Sequence, residues 1–237
     1  MSELSVEGNQ QTVIFHLYAD YGVEGEALAA YGDVHRFTID PKPNPVYETT
    51  TAMDLMTETP ERRAHLAVLH PKCSKWTDMP NVDPDDHENQ IPRARELANS
   101  IADNYIIENK PRAPLRDPVV LNGKQFGLPI KYERAFETSF SVRAPPRERT
   151  LKTECGPYYY SDRTTEWWKS VKGVRGDYPK QHLAKNALPL AYVDVLLRAW
   201  LRSVNERDGK KAQDNNGPSP RSVEPDQAKI TEVSNRV

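Results

Sequence analysis

Residues 12–31 read TVIFHLYADYGVEGEALAAY, and the order of residue types in this stretch decides the fold. Thr12 to Tyr18 is a short, β-rich apolar run, Gly22 follows, and Glu24 to Tyr31 is a compact helix former. The pattern is strand, turn, helix. Downstream, Val34 to Ile39 (VHRFTI) ends in Asp40 and a proline-rich stop, and His65 to Leu69 (HLAVL) ends in His70-Pro71. Both read as strands whose C-terminal ends enter loops. Ile91, Ala94, Leu97, Ala98 and Ile101 recur at helical spacing, and Tyr105-Ile106-Ile107 then makes another strand ending at Glu108-Asn109. This alternation predicts an α/β fold, a doubly wound and mostly parallel sheet with helices on both faces, whose site lies in the loops at the carboxyl ends of the strands. Residues 19–22, 40–44, 71–76 and 108–111 therefore belong on one rim. A last helix carries Val193, Leu196, Leu197, Trp200 and Leu201 on one stripe.

With 237 residues the chain can form one complete domain but not two large ones. An apolar fraction of 37% against 28% charged is polar for a globular chain, which assigns the surplus polarity to the ends. Residues 1–11 are expected to be a flexible N-terminus, 12–202 the folded domain, and 203–237, which hold no aromatic residue, a disordered tail. A net charge of -2 excludes a strongly basic nucleic-acid coat, so any DNA contact must be a local patch. No apolar run approaches the roughly 18 residues of a membrane span. The start MSELSVEGNQQ lacks the layout of a signal peptide. A cytoplasmic monomer with no membrane partner is expected. The cysteines, Cys73 and Cys155, cannot build a disulfide framework and are read as thiols.

Taken singly, the rim residues decide little. A lone cysteine such as Cys73 in HPKCSKW is more often a small buried hydrophobe than a nucleophile, and Glu108-Asn109 alone reads as a solvated turn. His65, His70, Cys73 and His87 match no compact pair of ligands, and no metal site is expected.

Taken in order, the same segments resemble the cytosine-5 DNA methyltransferases, in particular the small solitary enzymes of viruses of bacteria and archaea. HLYADYGVEGEAL looks like the family's cofactor loop, with Tyr18 in the aromatic position and Gly22 at one glycine. Asp40 in FTIDPKPNP resembles the acid directed at the cofactor ribose, and Asp54 the acid near the adenine. Pro71-Lys72-Cys73 is similar to the nucleophile loop Pro-Pro-Cys, and IIENK to the Glu-Asn-Val element. In APLRDPVVLNGKQFGLPIKYERAFETSF, Arg134 takes the place of the family's last strand arginine. HLAKNALPLAY resembles the element whose Asn, here Asn186, closes the cofactor pocket.

The resemblance implies an S-adenosylmethionine-dependent enzyme acting on double-stranded DNA. Tyr18, Gly22, Asp40, Asp54, Pro71 and Asn186 would bind the cofactor, Cys73 would add to carbon 6 of cytosine, and Glu108 would hold ring nitrogen 3 with Asn109 orienting its loop. Arg134 would hold the base carbonyl and favour the thiolate. The cytosine must leave the stack to be reached. A small irregular lobe at 141–176 stands where the family reads its target, with Arg143, Arg147, Arg149 and Arg163 as phosphate contacts. Its Tyr158 to Tyr160 and Trp167-Trp168 suit either base stacking or packing. The chain departs from the pattern at Asp20 and Val23, which replace glycines, and at His16, Lys72, Lys110 and Tyr132. An open alternative is a methyltransferase fold kept as a DNA- or protein-binding module.

Overall fold

The structure is a computed structural model that describes residues 11–47, 49–77, 81–147 and 151–215. Its centre is a sheet of seven strands in the order β3-β2-β1-β4-β5-β7-β6. These are β1 Val13–Leu17, β2 Asp33–Thr38, β3 Thr49–Ala52, β4 Ala64–Leu69, β5 Ala102–Asn109, β6 Val119–Leu121 and β7 Arg134–Thr138. β1 to β5 run parallel, and β7 is antiparallel to both β5 and β6. The α/β class is as the sequence predicts. The exposed edge strand β3, read TTTA, has no apolar residue but one alanine and gives no burial signal.

Successive strand residues point to opposite faces. Phe15 and Leu17 of β1 join Ile91, Ala94, Leu97, Ala98 and Ile101 of helix α2 (Ile91–Ile101; α1 is Gly25–Leu28) in one buried cluster. The opposite face takes Ile14 and His16. Because His16 pairs with Val68, Val68 with Ile106, and Glu108 with Phe136, the side chains of His16, His70, Glu108 and Arg134 fall on this same face. All are at the carboxyl ends of the parallel strands or beside them. The strand order reverses between β1 and β4, which is where such a sheet opens a crevice.

Within 141–176 the described residues include the 3-10 turn Pro157–Asp162 and helix α3 (Thr165–Lys172). Thr164 caps α3 through its side chain, Gly173 ends it in the left-handed conformation, and Trp168 is fully buried. After α4 (Lys180–Lys185), helix α5 runs Leu190–Asn215, past the boundary set at 202. Residues 203–215 lack an apolar stripe but also contain no proline, which first appears at Pro218 beyond Asn216-Gly217. The described residues from Val204 to Asn215 belong to a second unit. The expected N-terminal segment up to residue 10, Arg149 and the tail from 216 lie outside the described residues.

Candidate active site

The loop after β1 begins with backbone strain. Tyr18 has φ 58° and Gly22 φ 61°, both left-handed, a conformation that costs Tyr18 of order 1–3 kcal/mol and tends to persist at functional sites. Gly22 is required as well by contact, since a Cβ there would stand 2.5 Å from the Tyr47 hydroxyl. Tyr47 donates to Gly22 O at 2.7 Å, Asn44 Nδ2 donates to Tyr21 O at 2.8 Å, and Arg36 donates to Asp20 O at 3.2 Å. The loop is thus held from β2 and the segment after it. Val23, one of the glycine replacements, is fully buried, and Asp20 accepts from Thr38 Oγ1 at 3.1 Å. Both departures are accommodated by neighbours.

Two pockets flank this loop. An inner one of about 280 Å³ is lined by Tyr18, Glu24, His70, Cys73, Glu108 and Arg134, among others. An outer one of about 330 Å³ is lined by Thr38, Ile39, Met53, Asp54 and Leu55, and shares Tyr18, Asp20, His70 and Lys72 with the first. Ile39 is 70% exposed although apolar, and it borders this pocket. Of the residues expected at a cofactor, Tyr18, Gly22, Pro71 and Asn186 line the inner pocket and Asp54 the outer. Asp40 does not line either. It is exposed and pairs with Lys42, while Thr38 and Ile39 just before it face the pocket. The sequence reading took the acid as the strand end, whereas β2 stops at Thr38.

Glu108, Arg134, Asn109 and Cys73 converge at the inner end. Asn109 is fully buried and donates to Pro71 O at 2.9 Å, tying the end of β5 to the Cys73 loop. Arg134, also buried, donates to Tyr132 Oη at 2.8 Å and Lys185 O at 2.9 Å, and its Nη1 lies 3.3 Å from Glu108 Oε1. Burial disfavours the guanidinium charge, but Tyr132, Glu108 and Cys73 outweigh it and hold Arg134 firmly protonated. Burial also raises the Glu108 pKa, yet Arg134 and His70 overcome this and keep the carboxyl below its ordinary range. Glu108 Oε1 and Arg134 Nε are buried with no hydrogen-bond partner. Lys172, fully buried with Nζ 2.6 Å from Ala187 O, is driven well down by desolvation and then by Arg134. Nothing in the sequence marked Lys172, and His70, weighed there only as a metal ligand, stands at the strand end beside Pro71.

Cys73 sits where the inner pocket meets a groove of about 580 Å³. The basic residues lining this groove are Lys110, Arg112, Lys131 and Lys185, with Tyr158 and Tyr159 exposed at 50% and 66%. Of the arginines expected to contact DNA, the described ones, Arg143, Arg147 and Arg163, are not among its lining. Arg143 is exposed, Arg147 pairs with Glu133 at 3.0 Å, and Arg163 pairs with Glu154 at 3.4 Å and lies over Trp167. Cys155 is buried, its thiol 3.3 Å from Tyr159 O. His65 accepts from Val13 N at 2.9 Å and does not join His70; the metal-ligand types gathered among the described residues are instead His16, Glu24 and His70.

No family model and no curated protein matches the sequence. Among solved structures, the Dnmt2 methyltransferase of S. pombe is 12% identical, with a TM-score of 0.55 over 83% of this chain and 100% of that one. The fold is that of class I S-adenosylmethionine-dependent methyltransferases. A DNA modification methyltransferase encoded within a prophage of E. coli is 15% identical, with a TM-score of 0.45 over 57% of this chain, which spans only 51% of that protein. In this class I fold the inner pocket, the outer pocket and Cys73 all lie at the carboxyl ends of the parallel strands, beside the β1–β4 reversal.

Among the described residues no helix is long and apolar enough to cross a membrane.

Proposed function

We propose that this chain is an S-adenosylmethionine-dependent DNA cytosine-5 methyltransferase acting through Cys73 on double-stranded DNA. The observation that carries the reading is the junction at Cys73, where a two-part pocket meets a basic, aromatic groove with Glu108 and Arg134 directly behind. The residues present fit the cofactor. Ile39 and Leu55 offer an apolar seat for an adenine, Asp54 and Thr38 offer polar edges, and the inner pocket receives the methionine end near Asp20 and Asn186. When bound, S-adenosylmethionine supplies an electrophilic methyl group on a sulfonium.

The protein's own steps follow. The groove takes the DNA backbone on Lys110, Arg112, Lys131 and Lys185, and the exposed Tyr158 and Tyr159 give stacking faces beside the vacated position of a flipped base. Cys73 as thiolate adds to carbon 6, making carbon 5 nucleophilic. Glu108 Oε1, which has no hydrogen-bond partner, accepts from the exocyclic amine, and the ionised carboxylate stabilises the proton that ring nitrogen 3 takes from water as the thiolate adds and returns when the thiolate leaves, while the unpartnered Arg134 Nε is directed to the base carbonyl. After carbon 5 takes the methyl group, loss of its proton expels the thiolate and restores the ring.

Calorimetric titration with S-adenosylmethionine, or with its demethylated product, tests the cofactor half. Saturable binding is expected, and Asp54→Ala should weaken it. No binding at millimolar ligand with DNA present would overturn the reading in favour of a non-catalytic binding module.

A further inference from the structure

His16 and His70 stand on neighbouring parallel strands, two residues apart in register because His16 pairs with Val68, and their rings meet edge to face at 4.9 Å between centroids. Glu24, in the turn that opens α1, completes a group of three whose ligand atoms lie within 4.8 Å of one another. His16 is fully buried and Glu24 is 6% exposed.

The hydrogen bonds around the group fix where its protons are. Tyr47 spends its hydroxyl hydrogen on Gly22 O at 2.7 Å, so at the 2.5 Å contact with His16 Nδ1 the tyrosine oxygen is the acceptor. His16 therefore carries its proton on Nδ1, and Nε2 presents a lone pair. Burial, then the nearby His70 and Arg36, keep this ring neutral. His70 Nδ1 lies 3.2 Å from Glu108 Oε2 of an ionised carboxylate and donates to it; burial lowers the His70 pKa, but Glu108 and Glu24 outweigh burial and raise it, so a metal ion at Nε2 would displace a proton there. The Nε2 atoms of both rings are buried with no partner. Glu24 spends Oε1 on Leu188 N at 2.8 Å and turns Oε2 toward His16 Nε2 at 3.9 Å. Two unpartnered imidazole nitrogens and one carboxylate oxygen thus stand together in a buried group. In low dielectric such a group is stabilised by a cation, either a proton on His70 or a bound metal ion.

We propose that His16, Glu24 and His70 form a site for a divalent first-row transition metal of the zinc class, with a further coordination position open to the inner pocket. Two histidines and a glutamate are a ligand set such ions take, and a histidine ligand whose other nitrogen donates to a carboxylate is the usual supporting arrangement, as His70 does to Glu108. Metal–nitrogen bonds of about 2.0–2.1 Å in a tetrahedral site place ligand atoms about 3.3 Å apart. The observed 3.9 Å between His16 Nε2 and Glu24 Oε2 closes to that with a small shift of the glutamate. Glu24 and His70 line the inner pocket together with Cys73, and His16 is fully buried and outside that lining, so the open position would be reached past Glu24 and His70.

The site stands on its own geometry and does not depend on methyl transfer. The full chain, stripped with chelator, is titrated with Zn²⁺ by calorimetry and with Co²⁺ by visible absorption. One ion per chain is expected, with the intense d–d bands of a four-coordinate Co²⁺ and a melting temperature that rises with metal concentration. Glu24→Gln keeps the acceptor for Leu188 N but turns a donor toward His16 Nε2, so it should fold at least as well as the parent and bind metal at least about tenfold more weakly. His16→Gln should do the same to affinity, and Cys73→Ser should leave it intact. The proposal is overturned if the folded parent binds neither ion at millimolar concentration, or if Glu24→Gln binds with parental affinity. Failure of S-adenosylmethionine to bind would leave this result untouched.

Discussion

His70 Nδ1 lies 3.2 Å from Glu108 Oε2, and this contact joins the end of β4 to the end of β5 across the floor of the cleft. It leaves the other carboxylate oxygen, Oε1, 3.3 Å from Arg134 Nη1 and otherwise without a partner. The proposed mechanism needs that oxygen aimed into the pocket, and His70 is what sets its direction. His70→Phe should therefore lower kcat for DNA methylation more than it raises KM, whereas a purely structural role would lower the folded fraction instead. Single-turnover kinetics on protein checked for folding separates the two.

Arg134 is buried and bound by Tyr132, Lys185 and Glu108. Removing it leaves the Glu108 charge buried without its cation. Arg134→Ala should cost about 3–5 kcal/mol in urea unfolding. A loss under 1 kcal/mol would mean that Glu108 is solvated or neutral there.

These two interactions also mark the limit of what the sequence discloses. The alternation of strands and helices, and the positions of Cys73 and Glu108 after buried runs, can be read from apolar periodicity, whereas Arg134, the first residue of β7, was marked only by the family resemblance. Pairings across strands cannot. His16, Glu24 and His70 are scattered along the chain and meet only because β1 and β4 are neighbours in parallel register. For the same reason the basic lining of the groove draws on Lys110, Lys131 and Lys185 from separate parts of the chain, while Arg147 and Arg163 of the local cluster in 141–176 engage Glu133 and Glu154. Asp40 lies two residues beyond the end of β2 and is not among the residues lining either pocket.

Gly22 has a left-handed φ of 61° and no room for a Cβ. Gly22→Ala should destabilise the fold by about 1–2 kcal/mol from conformation alone, with the Tyr47 clash in addition. Thermal melting reads the loss, and an unchanged melting temperature would contradict the placement of Tyr47.

Tyr192 is fully buried and donates to Tyr132 O at 2.7 Å. Tyr192→Phe leaves that carbonyl unpaired in the core, and a loss of about 1–3 kcal/mol is expected in denaturant unfolding.

Glu137 gives a pH dependence well away from the cleft. Burial raises its pKa, but the paired hydrogen bonds from Arg95 at 2.8 and 2.7 Å and one from Arg116 N at 2.8 Å outweigh burial, so the net shift is downward. A carboxyl depressed in the folded state contributes stability that is present above its unfolded pKa of about 4.3 and is lost as pH falls through the lower folded value. The stability difference between the parent and Glu137→Gln should be largest near neutral pH and shrink below about pH 4. A difference that grows in acid would reverse the assigned sign.

The central claim is that Cys73 attacks cytosine, and trapping on DNA that contains 5-fluorocytosine tests it most directly. With S-adenosylmethionine present, addition of the thiolate and methyl transfer should leave a covalent protein–DNA adduct, because fluorine cannot depart as a proton does. The account predicts an adduct on gels and by mass spectrometry that maps to Cys73, requires S-adenosylmethionine, and vanishes in Cys73→Ser while DNA binding persists. Undiminished trapping by Cys73→Ser, or no trapping by the parent across DNA of varied sequence despite measured cofactor binding, would contradict it.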